Sequence, residues 1–145
     1  MAASPLATEV SNQHLLSWHR ARIAALVFVF LWFFIGGIAH FAFTQAEMRI
    51  VPPWMPGSPR MLVWISGAFE LLGAAGLLLP RTRVAAGWGL FALTLAVTPA
   101  NVYMLQHAQD WPAVPYWALV ARLPMQVALL ALIFWSTHLA TPRRR

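Results

Sequence analysis

Apolar residues in this chain fall into four long stretches, not the one-faced or alternating patterns of soluble helices and strands. Residues 23–43, 61–79, 84–105 and 117–138 each approach the ~20 apolar residues that an α-helix needs to cross a bilayer. None breaks into the short alternating segments of a membrane β-barrel. The pattern predicts an all-α integral membrane four-helix bundle over residues 23–138. A polar segment, 1–22, is expected to be loose, and a basic tail covers 139–145. The first stretch is long for the apolar part of a secretory leader and ends in large aromatics where a cleavage site needs small residues, so it reads as an uncleaved anchor. Trp18, Trp64, Trp88, Trp117 and Trp135 lie near predicted span ends, as an interfacial aromatic belt requires.

Composition strengthens this reading. Hydrophobic residues make up 60% of the 145 and charged residues 10%, against about 25% charged in soluble domains. Mean hydropathy is +0.64. A soluble fold this small could not bury so much apolar surface, which excludes a soluble enzyme and a disordered chain. The net charge is +6, and the arginines sit in pairs and a triplet at the edges of apolar runs. That is not the basic stripe of a nucleic-acid surface, so no nucleic-acid partner is expected; the partner is the lipid bilayer. Arg20, Arg22, Arg81, Arg83, Arg143, Arg144 and Arg145 fall on one side of the predicted topology, Arg49 and Arg60 on the other. By the positive-inside rule both termini are expected in the cytoplasm. The chain has no cysteine, which removes thiolate metal sites and CxxC redox exchange.

Ionisable and amide side chains inside spans are costly and usually face a bundle interior. Here they are His40, Glu70, Asn101, Arg122 and Gln126. Small residues flank several of them: Gly36 and Gly37 precede His40, and Ser66, Gly67, Gly73 and Ala74 share the face of Glu70. Small residues permit close helix approach, so these faces are expected to be packed inside. With both termini cytoplasmic, His40, Asn101, Arg122 and Gln126 fall in the outer half and Glu70 near the midplane. A buried Glu70–Arg122 ion pair is expected, either as scaffolding or as the centre of a cavity. Pro99 and Pro124 should kink their spans beside it. No second histidine stands near enough in sequence to His40 for a metal site, so no metal is expected. The outer loop with Pro52, Pro53, Trp54 and Pro56 is too proline-rich for a regular helix and is a candidate lid.

The stretches Gly36-Gly37-Ile38-Ala39-His40-Phe41, Ile50-Val51-Pro52-Pro53-Trp54-Met55-Pro56 and Ser66-Gly67-Ala68-Phe69-Glu70-Leu71-Leu72-Gly73 are followed in order by Pro80-Arg81-Thr82-Arg83, Pro99-Ala100-Asn101-Val102-Tyr103-Met104 and Arg122-Leu123-Pro124-Met125-Gln126. This ordered set, over about residues 36–137, resembles the DoxX-like family of small four-helix membrane proteins. The resemblance implies an inner-membrane location, and the family's motif positions map onto His40, Glu70, Asn101, Arg122 and Gln126. The family name comes from a subunit associated with thiosulfate:quinone oxidoreduction. The leading expectation is a module that binds a small hydrophobic or amphipathic molecule, for example a quinone, in an outward-facing pocket lined by those five residues. Two alternatives stay open: a non-catalytic membrane subunit of a quinone-linked oxidoreductase partner, and a small-solute or proton transporter working as a homo-oligomer. No self-contained catalytic or redox centre is evident in the sequence.

Overall fold

The computed structural model describes residues 5–138, with side chains from residue 13 onward. Its elements are helices: α1 (Pro5–Ala42), α2 (Thr44–Met48), α3 (Pro59–Leu78), α4 (Arg83–Ala96), α5 (Thr98–Gln106), a short 3-10 turn (Ala108–Asp110) and α6 (Tyr116–His138). Four segments are long and apolar enough to cross a membrane: Gln13–Ala42, Pro59–Leu78, Arg83–Gln106 and Tyr116–His138. In the most apolar stretch of the first, 22% of residues are buried; many of the others are exposed apolar side chains that belong against lipid. Ile35, Leu72 and Val127 are 62%, 68% and 66% exposed on this belt. The chain is a multi-pass helical membrane protein.

Local chemistry sets the helix ends. Gly57, at φ 100°, makes the turn into α3, and Pro59 opens that helix, where a missing N–H costs nothing. Leu79, which precedes Pro80, is extended and stops α3. The carbonyls left open there are capped from the next turn: Thr82 Oγ1 donates to Gly76 O at 2.8 Å and Arg83 Nε donates to Leu77 O at 3.0 Å. Pro99 does more than kink the third span. The helix breaks at Val97 into α4 and α5, with the proline in the first turn of α5. Pro124 stays inside a continuous α6.

The spans pack in the cyclic order α1–α3–α4–α6, with α5 on α6 and α2 on α3. Val29 and Phe33 of α1, Ala74 and Leu77 of α3, Leu90 of α4, and Leu129 and Ile133 of α6 form the apolar core. It fills the half of the bundle nearer the N-terminal part of α1 and the end of α6. Those two segments meet there: the Trp18 and Trp135 rings are 6.3 Å apart, and Arg22 Nε donates to Ser136 O at 2.8 Å. Trp88 of α4 joins them through Phe134 and His138. Arg20, Arg22, Arg81 and Arg83 therefore share one end, and Arg49 and Arg60 lie at the other. Arg143, Arg144 and Arg145, with the rest of the tail 139–145, lie outside the described residues.

Two expectations change. The segment expected to be loose is helical from Pro5 onward and continuous with the first span, because no proline or glycine between residues 6 and 35 interrupts it. A five-residue helix, α2, stands where the loop was expected to begin. It follows a break at Phe43 and is tied back by Thr44 Oγ1, which donates to His40 O at 2.7 Å.

A candidate polar site in the half remote from the termini

The first group of polar residues is built on a close helix crossing. A Cβ added at Gly37 would lie 3.0 Å from Gly67 O, and one added at Gly67 would lie 3.1 Å from Gly37 O and 2.8 Å from His40 Cβ. Only hydrogen at both positions lets α1 and α3 approach so far. Gly36 gives the same room to a carboxylate, since its Cβ would be 2.7 Å from Glu70 Oε2. The crossing brings His40 Nε2 to 3.6 Å from Glu70 Oε1. On the opposite edge of the ring, His40 Nδ1 lies 3.9 Å from Oε2 of Glu47, carried by α2. His40 Nδ1 and Glu70 Oε2 are both buried without a hydrogen-bond partner among the described residues.

The second group is a chain of amides between α5 and α6. Arg122 Nε donates to Asn101 Oδ1 at 3.0 Å, and Asn101 Nδ2 donates to Gln126 Oε1 at 2.7 Å. Gln126 Nε2 donates to Thr94 O at 2.7 Å and also to Thr98 Oγ1. Thr94 O, one turn before the break at Val97, also accepts from Thr98 Oγ1 at 3.3 Å. Gln126 is 8% exposed, so the amide both needs and supplies these bonds. Gln126→Leu is expected to cost about 1–2 kcal/mol, the range for an interhelical bond in a membrane, measured by reversible unfolding in mixed micelles. Gln126→Glu, which keeps the shape but loses the donor, should cost no less.

The five predicted site residues thus form two groups. Glu70 does not pair with Arg122; it faces His40, and Arg122 faces Asn101. The reason is the order of the helices. α3 and α6 are diagonal in the bundle, and the cradle at Gly36 draws the carboxylate toward the neighbouring α1. Arg122 nevertheless stands on the buried stripe of α6. Leu119, Gln126, Leu129 and Ile133 on that stripe are at most 8% exposed, whereas Arg122 is exposed. The guanidinium Nη atoms have no hydrogen-bond partner among the described residues.

The candidate lid is pinned at one end, with Pro52 fully buried, while Pro53 and Pro56 are exposed. Trp54, itself 67% exposed, lines an open groove of about 490 Å³ together with Leu95, Thr98, Pro99, Val102, Tyr103 and Gln106. Thr98 belongs to both groove and amide chain. Beside it, Arg49 lies over the Trp111 ring at 5.0 Å and joins the two loops of this end. No group of three or more His, Cys, Asp or Glu among the described residues is placed to hold a metal. Sequence reasoning passed over Glu47 as a site residue. The signal was present in the helix-forming run Gln45-Ala46-Glu47-Met48 directly after a span, which turns a loop carboxylate back over the helix end.

No curated protein and no solved structure is significantly similar to this chain. Residues 21–140 match a family defined as a domain of unknown function, DUF8561. That match takes in the first span from residue 21, the other three spans in full, both polar groups and the loop with Trp54, and so the chain belongs to the DUF8561 family.

Proposed function

We propose that this protein binds a small amphipathic, lipid-soluble molecule in the polar half of its bundle, with Arg122 meeting the polar head. The observation that carries this is an arginine on an otherwise buried stripe, exposed and held by one nitrogen. Asn101 takes Nε, and Gln126 holds Asn101. The remaining donors are pre-oriented for a carbonyl, carboxylate or phosphate oxygen. Leu95, Pro99 and Val102 offer an apolar wall beside Thr98, in a groove whose size falls within the usual range for small ligands. A quinone has both a carbonyl head and an apolar tail, and the DoxX-like resemblance supports that class. A transport path through one chain is opposed by the apolar core from Val29 to Ile133, which fills the other half of the bundle.

The arginine asymmetry between the two ends supports an inner-membrane protein with both termini cytoplasmic and the polar half facing outward. Reporter fusions after residue 145 are expected to be active in the cytoplasm, and fusions in the Pro52–Pro56 loop in the periplasm; the opposite result inverts the topology. Native mass spectrometry of protein extracted gently from its membrane is the direct test of binding. A retained small molecule in the wild type, absent from Arg122→Ala, supports the proposal. A redox protein carried along without any small molecule would instead support a subunit role in a quinone-linked oxidoreductase.

A further inference from the structure

We infer that His40 is a proton-transfer residue that connects Glu47, at the mouth of the bundle, with the carboxyl of Glu70 deep in the second span. The inference does not depend on what Arg122 binds. Each ring nitrogen faces a different carboxylate: Nδ1 is 3.9 Å from Glu47 and Nε2 is 3.6 Å from Glu70. Side-chain exposure falls along the line, from 31% at Glu47 through 19% at His40 to 13% at Glu70. Beyond Glu70 the bundle is closed by Phe33, Ala74 and Leu77 of the core. The line therefore opens toward one end only.

A purely structural cluster would close its hydrogen bonds, because an unmet buried donor or acceptor is costly. Here Nδ1 of His40 and Oε2 of Glu70 are left without partners, and both ring contacts are about 0.5–1 Å longer than a hydrogen bond. A small swing of the ring or of either carboxylate closes each gap to hydrogen-bond length. The described arginines of this end do not neutralise the carboxylates. Arg49 lies over Trp111, Arg60 over Trp64, and Arg122 on Asn101. The groups facing His40 are therefore Glu47 from α2 and Glu70 from α3. Gly36 and Gly67 leave the carboxylate and the imidazole space beside the α1–α3 crossing.

The transfer balances without any co-reactant. Protonated Glu47 gives its proton to Nδ1 as the Nε2–H proton passes to Glu70. An O–H bond breaks at Glu47, one forms at Glu70, and the ring stays neutral but changes tautomer. The starting tautomer returns when the proton runs back along the same line, from Glu70 to Nε2 and from Nδ1 to Glu47. The result is a neutral Glu70 charged with a proton from the bundle mouth.

The test is a pH jump on the full-length protein in lipid nanodiscs, followed by time-resolved infrared spectroscopy of the protonated-carboxyl band. Glu70→Gln identifies the band by removing it. His40→Ala is expected to slow its appearance about 100-fold, the lower end of what a positioned proton-transfer group contributes. Added free imidazole should restore most of the rate, which a packing defect would not allow. Glu47→Gln should slow it as well with His40 in place, and this variant keeps the inference testable if His40→Ala does not fold. A wild-type rate in either folded variant, a slow rate that imidazole leaves unchanged, or the absence of any Glu70 band would each overturn it.

Discussion

Gly67→Val is expected to destabilise the bundle severely. The new Cβ would stand 2.8 Å from His40 Cβ and 3.1 Å from the Gly37 carbonyl oxygen. One of those neighbours is backbone and the other is the stem of a side chain held between two helices. Neither can yield without separating α1 from α3. Overpacking of this kind costs about 1–3 kcal/mol and occasionally more; the upper end is expected here because the whole crossing must move. Gly37→Leu should behave alike, since its Cβ meets Leu71 Cγ at 2.7 Å and Gly67 O at 3.0 Å. Gly89→Ala is the control. Nothing lies within 4 Å of its added methyl, and the helix gains up to about 1 kcal/mol of propensity. Reversible unfolding in mixed micelles, followed by tryptophan fluorescence, separates the cases. Equal stability of Gly67→Val and the wild type would show that the α1–α3 crossing does not carry the fold.

Arg122→Ala is expected to reduce affinity for a short-tailed quinone by roughly 10- to 150-fold, with no comparable loss of stability. The factor corresponds to the ~1.5–3 kcal/mol of a charge-assisted hydrogen bond. Stability should hold because Arg122 is exposed and makes a single hydrogen bond, through Nε, to Asn101. Arg122→Lys retains charge but loses the planar fork, so it should fall between. Asn101→Ala leaves the guanidinium in place but unheld, and should weaken binding less than Arg122→Ala. Trp135→Phe, at the end that carries Trp18, should bind as the wild type does. Quenching of tryptophan fluorescence by the quinone reads all four. Equal losses in Arg122→Ala and Trp135→Phe would mean general destabilisation, and no loss in Arg122→Ala would remove the arginine from the site.

The four spans were legible in the residues because lipid imposes a one-dimensional rule. Backbone polar groups must be satisfied within the segment, so length and apolarity alone mark a helix. The predicted span at 61–79 and the observed α3 agree to within two residues at each end. Gln126 was legible as buried, and His40, Glu70 and Asn101 as partly so, for a related reason: a charge or amide inside a span has few tolerable directions; Arg122, expected inside on the same ground, is exposed. Gly36, Gly37 and Gly67 marked the close approach in advance.

Which polar side chain meets which was decided only by the tertiary structure. Helical depth placed Glu70 and Arg122 near enough to pair, but depth does not give the order of helices around the bundle. With α3 and α6 diagonal, Glu70 turns to His40 and Arg122 to Asn101. The break at Val97 was likewise half legible: Pro99 announced a disruption, but only packing shows that the carbonyl of Thr94 is met by Gln126 from another helix. Glu47 joined the site because a single turn of helix after α1 folds back over His40. A periodic pattern describes one segment at a time. Pairings between segments depend on the azimuth and neighbour of each helix, which no single span encodes.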